Sequence, residues 1–435
     1  MKSILRHLKG EGLKAQLLRG AGGSAGIEAV SMLLSLVSGV LLARTLGPEN
    51  YGTYSFALSV IALLSLPVKA GLPTLLVREI ATNQLIERWG LIQGLLRFSN
   101  GVALAFSVLV AALATLWFSW RGDVDASIFL WGVWLLPLMA LEAVRAGILR
   151  GMRWILSAQV PEKLVRPFVL ILMLGTGLFL GWELTALAAM QFQLIAAFVA
   201  FVIGSALLSK ALPGNVRRAT PEYALKPWIA SLVPLTLFVG LKLLDSQVAV
   251  LFLGILATAE EVGLFRVAAT GAGLVAIGLL AVNMAMAPQI ARLYKAGEMK
   301  KLQKVITFST RAVSVISFPI AIIFIVWGEW VISFVFGEEY AEAATALAIL
   351  CIGQLVNTSA GSVGLVLNMT GNDKLTFVGA TIALVTNSIL GLILIPLFGL
   401  NGAAISFSLS ISVWNIFLFI MVKWKVGINT FFVYW

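Results

Sequence analysis

Long apolar runs separated by short polar links recur along the whole of this 435-residue chain. The runs at 102–117 and 313–327 show no alternation of apolar and polar residues, so they do not fit membrane-spanning strands. About 20 mostly apolar residues, coiled as a helix, cross a hydrocarbon core of about 30 Å. Backbone groups there have no water to bond, which makes helices the default spanning element. The pattern predicts an all-α polytopic membrane protein with about twelve spans. Six fall near 24–43, 53–76, 91–118, 127–149, 163–181 and 185–208. Six more fall near 228–253, 262–290, 305–327, 343–367, 375–397 and 401–422. The third and eighth are long enough to tilt or to protrude.

Composition agrees with the pattern. Hydrophobic residues make up 60% and charged residues 12%, with a mean hydropathy of +0.98. A soluble globular chain carries about 25% charged residues, so a soluble enzyme is excluded. The lone cysteine, Cys351, allows no intrachain disulfide and no cysteine-built metal site. The lone histidine, His7, sits in a polar amino-terminal stretch, which removes histidine acid–base chemistry from the apolar regions. No cofactor is called for.

The net charge of +11 is unevenly placed. Residues 1–22, the links 77–90, 145–166, 209–227, 291–304 and 368–374, and the end from 423 hold 24 of the Lys and Arg residues. The intervening links hold only Arg44 and Arg121, with ten acids including Glu49, Asp123, Asp125, Glu260, Glu261, Glu329 and Glu338. Cytoplasmic loops are rich in Lys and Arg, so both ends are expected in the cytoplasm, as an even span count requires. The basic excess is then a topology signal, and no nucleic acid is needed to explain it. Trp89, Trp117, Trp120, Trp154, Trp182, Trp228, Trp327, Trp330 and Trp424 fall near span ends, where such rings anchor at headgroups. The first 20 residues carry five basic residues and no continuous apolar run, unlike a cleavable signal. This tail is expected either to lie along the inner membrane surface or to be solvated.

An internal repeat organises the spans. Glu49-Asn50-Tyr51-Gly52-Thr53-Tyr54 opens the second span, and Glu260-Glu261-Val262-Gly263-Leu264-Phe265 opens the eighth. Arg150-Gly151 and Thr370-Gly371 end the fourth and tenth, and Gly181-Trp182 and Gly399-Leu400 follow the fifth and eleventh. Matches offset by six spans indicate duplication. Six is even, so the halves keep one orientation, with a pseudo-two-fold axis along the membrane normal. The expected domains are a tail 1–22, a six-helix lobe 23–208, a linker 209–227 containing Pro213, Gly214 and Pro221, a second six-helix lobe 228–422, and a tail 423–435.

The stretch Leu41-Leu42-Ala43-Arg44-Thr45-Leu46-Gly47-Pro48-Glu49-Asn50-Tyr51-Gly52-Thr53-Tyr54 resembles the amino-terminal signature of the polysaccharide transporter family. Gly71-Leu72-Pro73 with Leu76-Val77-Arg78, Phe336-Gly337-Glu338-Glu339-Tyr340 and Pro396-Leu397-Phe398-Gly399-Leu400-Asn401-Gly402-Ala403-Ala404 are similar to later family segments. These are oligosaccharide flippases of the multidrug/oligosaccharidyl-lipid/polysaccharide exporter superfamily. The resemblance implies a two-lobe exporter in the plasma (inner) membrane. It would move a polyprenyl-pyrophosphate-linked oligosaccharide outward for cell-surface polysaccharide such as lipopolysaccharide. Polysaccharide assembly machinery is a further partner class it suggests. The motifs lie at loop–helix junctions and carry fold rather than substrate chemistry.

Eight ionisable residues fall at membrane depth: Glu28, Lys69, Arg97, Glu142, Lys242, Asp245, Arg266 and Arg311. Facing lipid, each costs about 2.5–3.5 kcal/mol on insertion scales, so each needs a partner or a wet cavity. Five are basic. A cavity with positive excess suits a pyrophosphate, because Arg offers a planar donor fork and Lys a point charge. Lys69, Arg97, Lys242, Arg266 and Arg311 are therefore the candidate headgroup ligands. Plainer explanations stand beside this one. Lys69 and Arg97 can snorkel, and Lys242 and Asp245, or Glu142 and Arg145, can neutralise one another at a spacing of three. Arg266 can pair with Glu260 or Glu261, whereas Thr307 and Ser314 on the face of Arg311 favour a cavity lining. Glu28 heads a stripe of Ser31, Ser35 and Ser38. Gln354 and Asn357, with Thr358 and Gly361, form a second-lobe stripe that either binds sugar hydroxyls or glues helices together. Asp245 or Glu28 is the candidate carrier of a coupling H⁺ or Na⁺.

No Gly-x-x-x-x-Gly-Lys-Ser/Thr run is present, so no nucleotide site is expected and coupling falls to an ion gradient or to consumption of product outside. The resemblance implies a transporter, expected to work by alternating access, and not an enzyme. One alternative is an ion-coupled multidrug or organic-cation antiporter of the same superfamily, which calls for an acid-dominated cavity. Another is a membrane-embedded glycan polymerase or ligase, but the longest outer link, 328–342, is short and acidic.

Overall fold

Helices account for nearly all of the computed structural model, which describes residues 13–69, 71–121 and 126–432. The side chains of residues 13–22 and of Val68, Arg121, Pro234, Phe238 and Lys242 lie outside the described set, as do Asp123 and Asp125. Among the described residues, seven helices are long and apolar enough to cross a bilayer, or nine if two bent pairs each count once. Their outward faces carry large apolar side chains such as Phe106, Leu113, Leu116 and Phe198. In hydrocarbon these faces need no cover.

The sequence pattern separated spans that the structure joins. Helix α1 (Leu13–Leu64) takes in the first expected span and part of the second, and the last helix, Asp373–Lys425, takes in the last two. At 1.5 Å per residue, the 42 and 53 residues of their apolar stretches extend about 60 and 80 Å, twice a bilayer core or more. Each is in fact two arms joined without a loop. Gly47 (φ 70°, ψ 170°) and Gly399 (φ 52°, ψ −127°) leave the helical region at the joints. Only glycine enters such backbone freely, and Pro48 then starts the new arm with φ already set.

The chain forms two compact units, 1–45 with 60–240 and 46–59 with 241–435. In the first, α2 (Leu66–Lys69), α3 (Leu72–Leu85), α4 (Trp89–Arg121), α5 (Ala126–Val133) and α6 (Leu135–Gly151) are followed by α7 (Ile155–Val160) and a π turn (Pro161–Val165). Then come α8 (Arg166–Phe179), α9 (Ala186–Ala211) and α10 (Gly214–Arg218). Leu72, Leu75, Leu76 and Ile80 of α3 pack on Ile92 and Leu95 of α4 and on Val144 and Ile148 of α6. That packing draws residues 77–85, expected as a polar link, into a helix.

Two further expectations in this unit are corrected. Trp228 is not a headgroup anchor. It is fully buried against Phe98 (5.4 Å between rings) in the α3–α4–α6 core. Nor is 209–227 a free connector. Val216 is buried in the same core, and the Glu222 amide donates to the Gly90 carbonyl at 2.9 Å.

The second unit holds α11 (Leu225–Leu256) from residue 241 on, α12 (Ala259–Val275), α13 (Ile277–Lys295), α14 (Met299–Val326), α15 (Gly328–Phe336), α16 (Ala343–Ala360), α17 (Val363–Met369) and α18 (Asp373–Lys425). Its tightest crossing joins the two repeated motifs. A Cβ on Gly52 would lie 1.6 Å from the Ala259 carbonyl oxygen, and one on Gly263 would lie 2.1 Å from that of Pro48. The shared glycine of the repeat is thus what lets these helices touch backbone to backbone. The carboxyl end is not a tail from 423. Helix α18 runs to Lys425, and Ile428 and Thr430 are buried in the unit.

Candidate functional site

In the first unit, charge converges on the junction of α7, the π turn and α8. The π turn carries Glu162 and Lys163, and α8 opens with Arg166. π turns recur at functional sites, and this one aims Lys163 at α1, where its ammonium pairs with Glu28. The serine-stripe residue Glu28 therefore has its partner, from a position the span pattern placed at a boundary. Arg166 lies 4.0 Å from Glu142. With the Gln193 amide turned to face it, Arg166 also donates to the Gln193 oxygen at 2.8 and 3.1 Å. Lys69, at the end of α2, is within electrostatic reach of Glu162, Arg166 and Glu142.

Glu142 and Arg145 do not form the pair their spacing suggested. Arg145 turns instead to α9: it donates to Ser205 Oγ at 2.7 Å and to the Phe201 carbonyl, and stacks on the Phe201 ring at 3.8 Å. One oxygen of Glu142 and one nitrogen of Arg145 are left without a partner. Both residues line a cavity of about 20 Å³, the size of one water. Four cations (Lys69, Arg145, Lys163, Arg166) thus face three acids (Glu28, Glu142, Glu162) among apolar helices. Arg97 is exposed on α4 and takes no part in these contacts.

The second unit gathers neutral polarity. Asn357 donates to Gln354 at 3.0 Å, and Asn415 of α18 donates to Asn357 at 3.1 Å. Asp245, Asn357, Ser410 and Trp414 line a cavity of about 310 Å³. Arg266 and Arg311 lie elsewhere. Arg266 is set against the Tyr51 hydroxyl. It does not meet Glu261, because that carboxylate caps the start of α12 with Thr258 and accepts from the Leu400 amide at 2.9 Å. Arg311 donates to the Phe432 carbonyl at 3.1 Å. Lys242 falls outside the described side chains. Among the described residues, no group of three or more His, Cys, Asp or Glu is placed to hold a metal ion.

A family model described as polysaccharide biosynthesis protein matches residues 17–294, well over half of the chain. The chain belongs to that family. Within the multidrug/oligosaccharidyl-lipid/polysaccharide exporter superfamily it is a polysaccharide transporter family member, and a second model, MatE, matches residues 234–393. The probable low-salt glycan biosynthesis flippase Agl15 of Haloferax volcanii is 27% identical over 168 residues, which is 39% of this chain and 36% of that one. The match thus spans about a third of the relative's length. In fold the family member is similar to the lipid II flippase MurJ in an inward closed conformation (TM-score 0.73, 14% identity, 91% of this chain and 86% of that one). It is also similar to an inward-facing multidrug resistance MATE family transporter (TM-score 0.72, 15% identity, 91% and 94%).

Proposed function

We propose that this protein flips a polyprenyl-pyrophosphate-linked oligosaccharide across the plasma membrane by alternating access, with twelve spans and both ends in the cytoplasm. The carrying observation is the cationic excess of the first-unit cluster, held where charge is costly. Lys69 and Arg166 are the headgroup ligands. Each sits among acids that a phosphate can replace as partner, and Arg offers a bidentate fork. Family membership and the likeness of part of the chain to a glycan flippase support the reading. Gln354 and Asn357 supply amides for sugar hydroxyls, and Asp245 carries the coupling H⁺ or Na⁺.

The test is flipping of a fluorescent polyprenyl-pyrophosphate oligosaccharide in proteoliposomes. Lys69→Ala is expected to slow flipping at least tenfold at unchanged protein level. Wild-type rates in both Lys69→Ala and Arg166→Ala would remove the reading. A second reading, organic-cation antiport, is favoured by one observation: an acid, Asp245, in the otherwise neutral 310 Å³ cavity. Uptake of an organic cation that disappears in Asp245→Asn, with no glycan-lipid flipping, would establish that reading instead.

A further inference from the structure

The carboxyl-terminal segment builds the floor of a third cavity, distinct from the 20 and 310 Å³ cavities above. Past Lys425 the chain turns at Gly427 (φ 72°) and re-enters the second unit. Gln303 of α14 brackets the segment: its amide donates to the Asn429 carbonyl at 2.6 Å, and its oxygen accepts from the Asn429 amide at 2.9 Å. Phe431 then packs on Phe419 of α18, 6.3 Å between rings. Above this floor, α16 and α18 enclose a groove of about 560 Å³ whose walls are mostly apolar, among them Leu355, Val356 and Phe419. Its rim residues Ile352 and Ile416 are exposed on helices long and apolar enough to span a bilayer. The groove therefore opens to hydrocarbon, and a hydrocarbon chain is what such a space takes up.

Charge fixes the class of lipid. Lys423 lies one turn beyond Phe419 on the same face of α18, is exposed, and is followed by exposed Trp424 and Lys425. Basic side chains beside a cleft between spanning helices recruit anionic headgroups. We propose that this groove is a binding site for one anionic phospholipid of the bilayer, its acyl chain between α16 and α18 and its phosphate at Lys423. Anionic phospholipids supply the negative surface of the cytoplasmic leaflet, so one of them is the lipid at hand. Asn415, which lines the groove, donates to Asn357, which lines the Asp245 cavity. The lipid thus sits one hydrogen bond from the candidate coupling site.

Native mass spectrometry of the full-length protein, released from nanodiscs of mixed phosphatidylglycerol and phosphatidylcholine, tests the site. The expected result is one phosphatidylglycerol retained in preference to phosphatidylcholine, with retention falling at least tenfold in Lys423→Glu and in Ile416→Trp, which fills the groove. Equal retention of both lipids by the wild type, a comparison that needs no variant, would overturn the proposal. So would unchanged retention in both variants. Stoichiometric displacement of phosphatidylglycerol by undecaprenyl phosphate would also overturn it, by assigning the groove to an isoprenoid lipid.

Discussion

The two units bury polarity by opposite means. Around the π turn, the first unit brings full charges of both signs together, each pair partly desolvated. Around Asn357, the second links amides that carry no net charge. Desolvating an ion pair costs several kcal/mol per ion, and removing one partner strands the other. An amide chain risks less per group. A charged cluster is also the one that responds to a new charge. A phosphate can take over Arg166 from Glu142, whereas an amide chain has no comparable reason to rearrange. Under the proposed function, headgroup capture falls to the first unit and sugar contacts or helix cohesion to the second.

Breaking an ion pair should therefore cost most. Arg166→Met leaves Glu142 without its guanidinium and is expected to destabilise the purified protein by about 3–5 kcal/mol. Adding Glu142→Gln should restore much of the loss, and thermal melts of the two variants check this. If the double variant melts no higher than the single, Arg166 acts by something other than its pairing. In the second unit, Asn415→Leu leaves the Asn357 oxygen unpaired and should cost about 1–3 kcal/mol, with flipping retained. A loss as large as that of Arg166→Met would erase the contrast. Arg97→Ala touches neither network and should shift stability by no more than about 0.5 kcal/mol and leave flipping unchanged. The smallest effect belongs to Gly101→Ala on α4. Nothing lies within 4 Å of the added methyl, so a gain of up to about 1 kcal/mol in melting free energy is expected.

Much of the fold was legible in hydropathy alone, because hydrocarbon tolerates little besides apolar helices. The joints were not. A run of apolar residues through Gly47 or Gly399 does not reveal that the helix breaks there without a loop. Residues 77–85 and 209–227 looked like solvated links because their burial against α4 and α6 is tertiary. At the site, Glu28 and Lys69 were singled out from depth, but Lys163 and Arg166 were credited to a basic cytoplasmic link. Both lie where a π turn shifts the register, and charge counting does not see register. Glu142 and Arg145 were paired by spacing on one helix, although neighbouring helices offered each a better partner. Arg266 and Arg311 were grouped by sign and depth. The structure gives them Tyr51 and the Phe432 carbonyl instead, neither of which is visible in a one-dimensional pattern.

The backbone contact of Gly52 and Gly263 leaves no side chain between the first turns of two helices to act as a bearing. With the backbones in contact there, the two helices are expected to move together. Any flexing of this part of the molecule falls to the break at Ala276, where α12 and α13 already diverge by 48°. Labels on either side of that break are expected to change separation during transport, and labels on either side of the glycine contact to keep theirs.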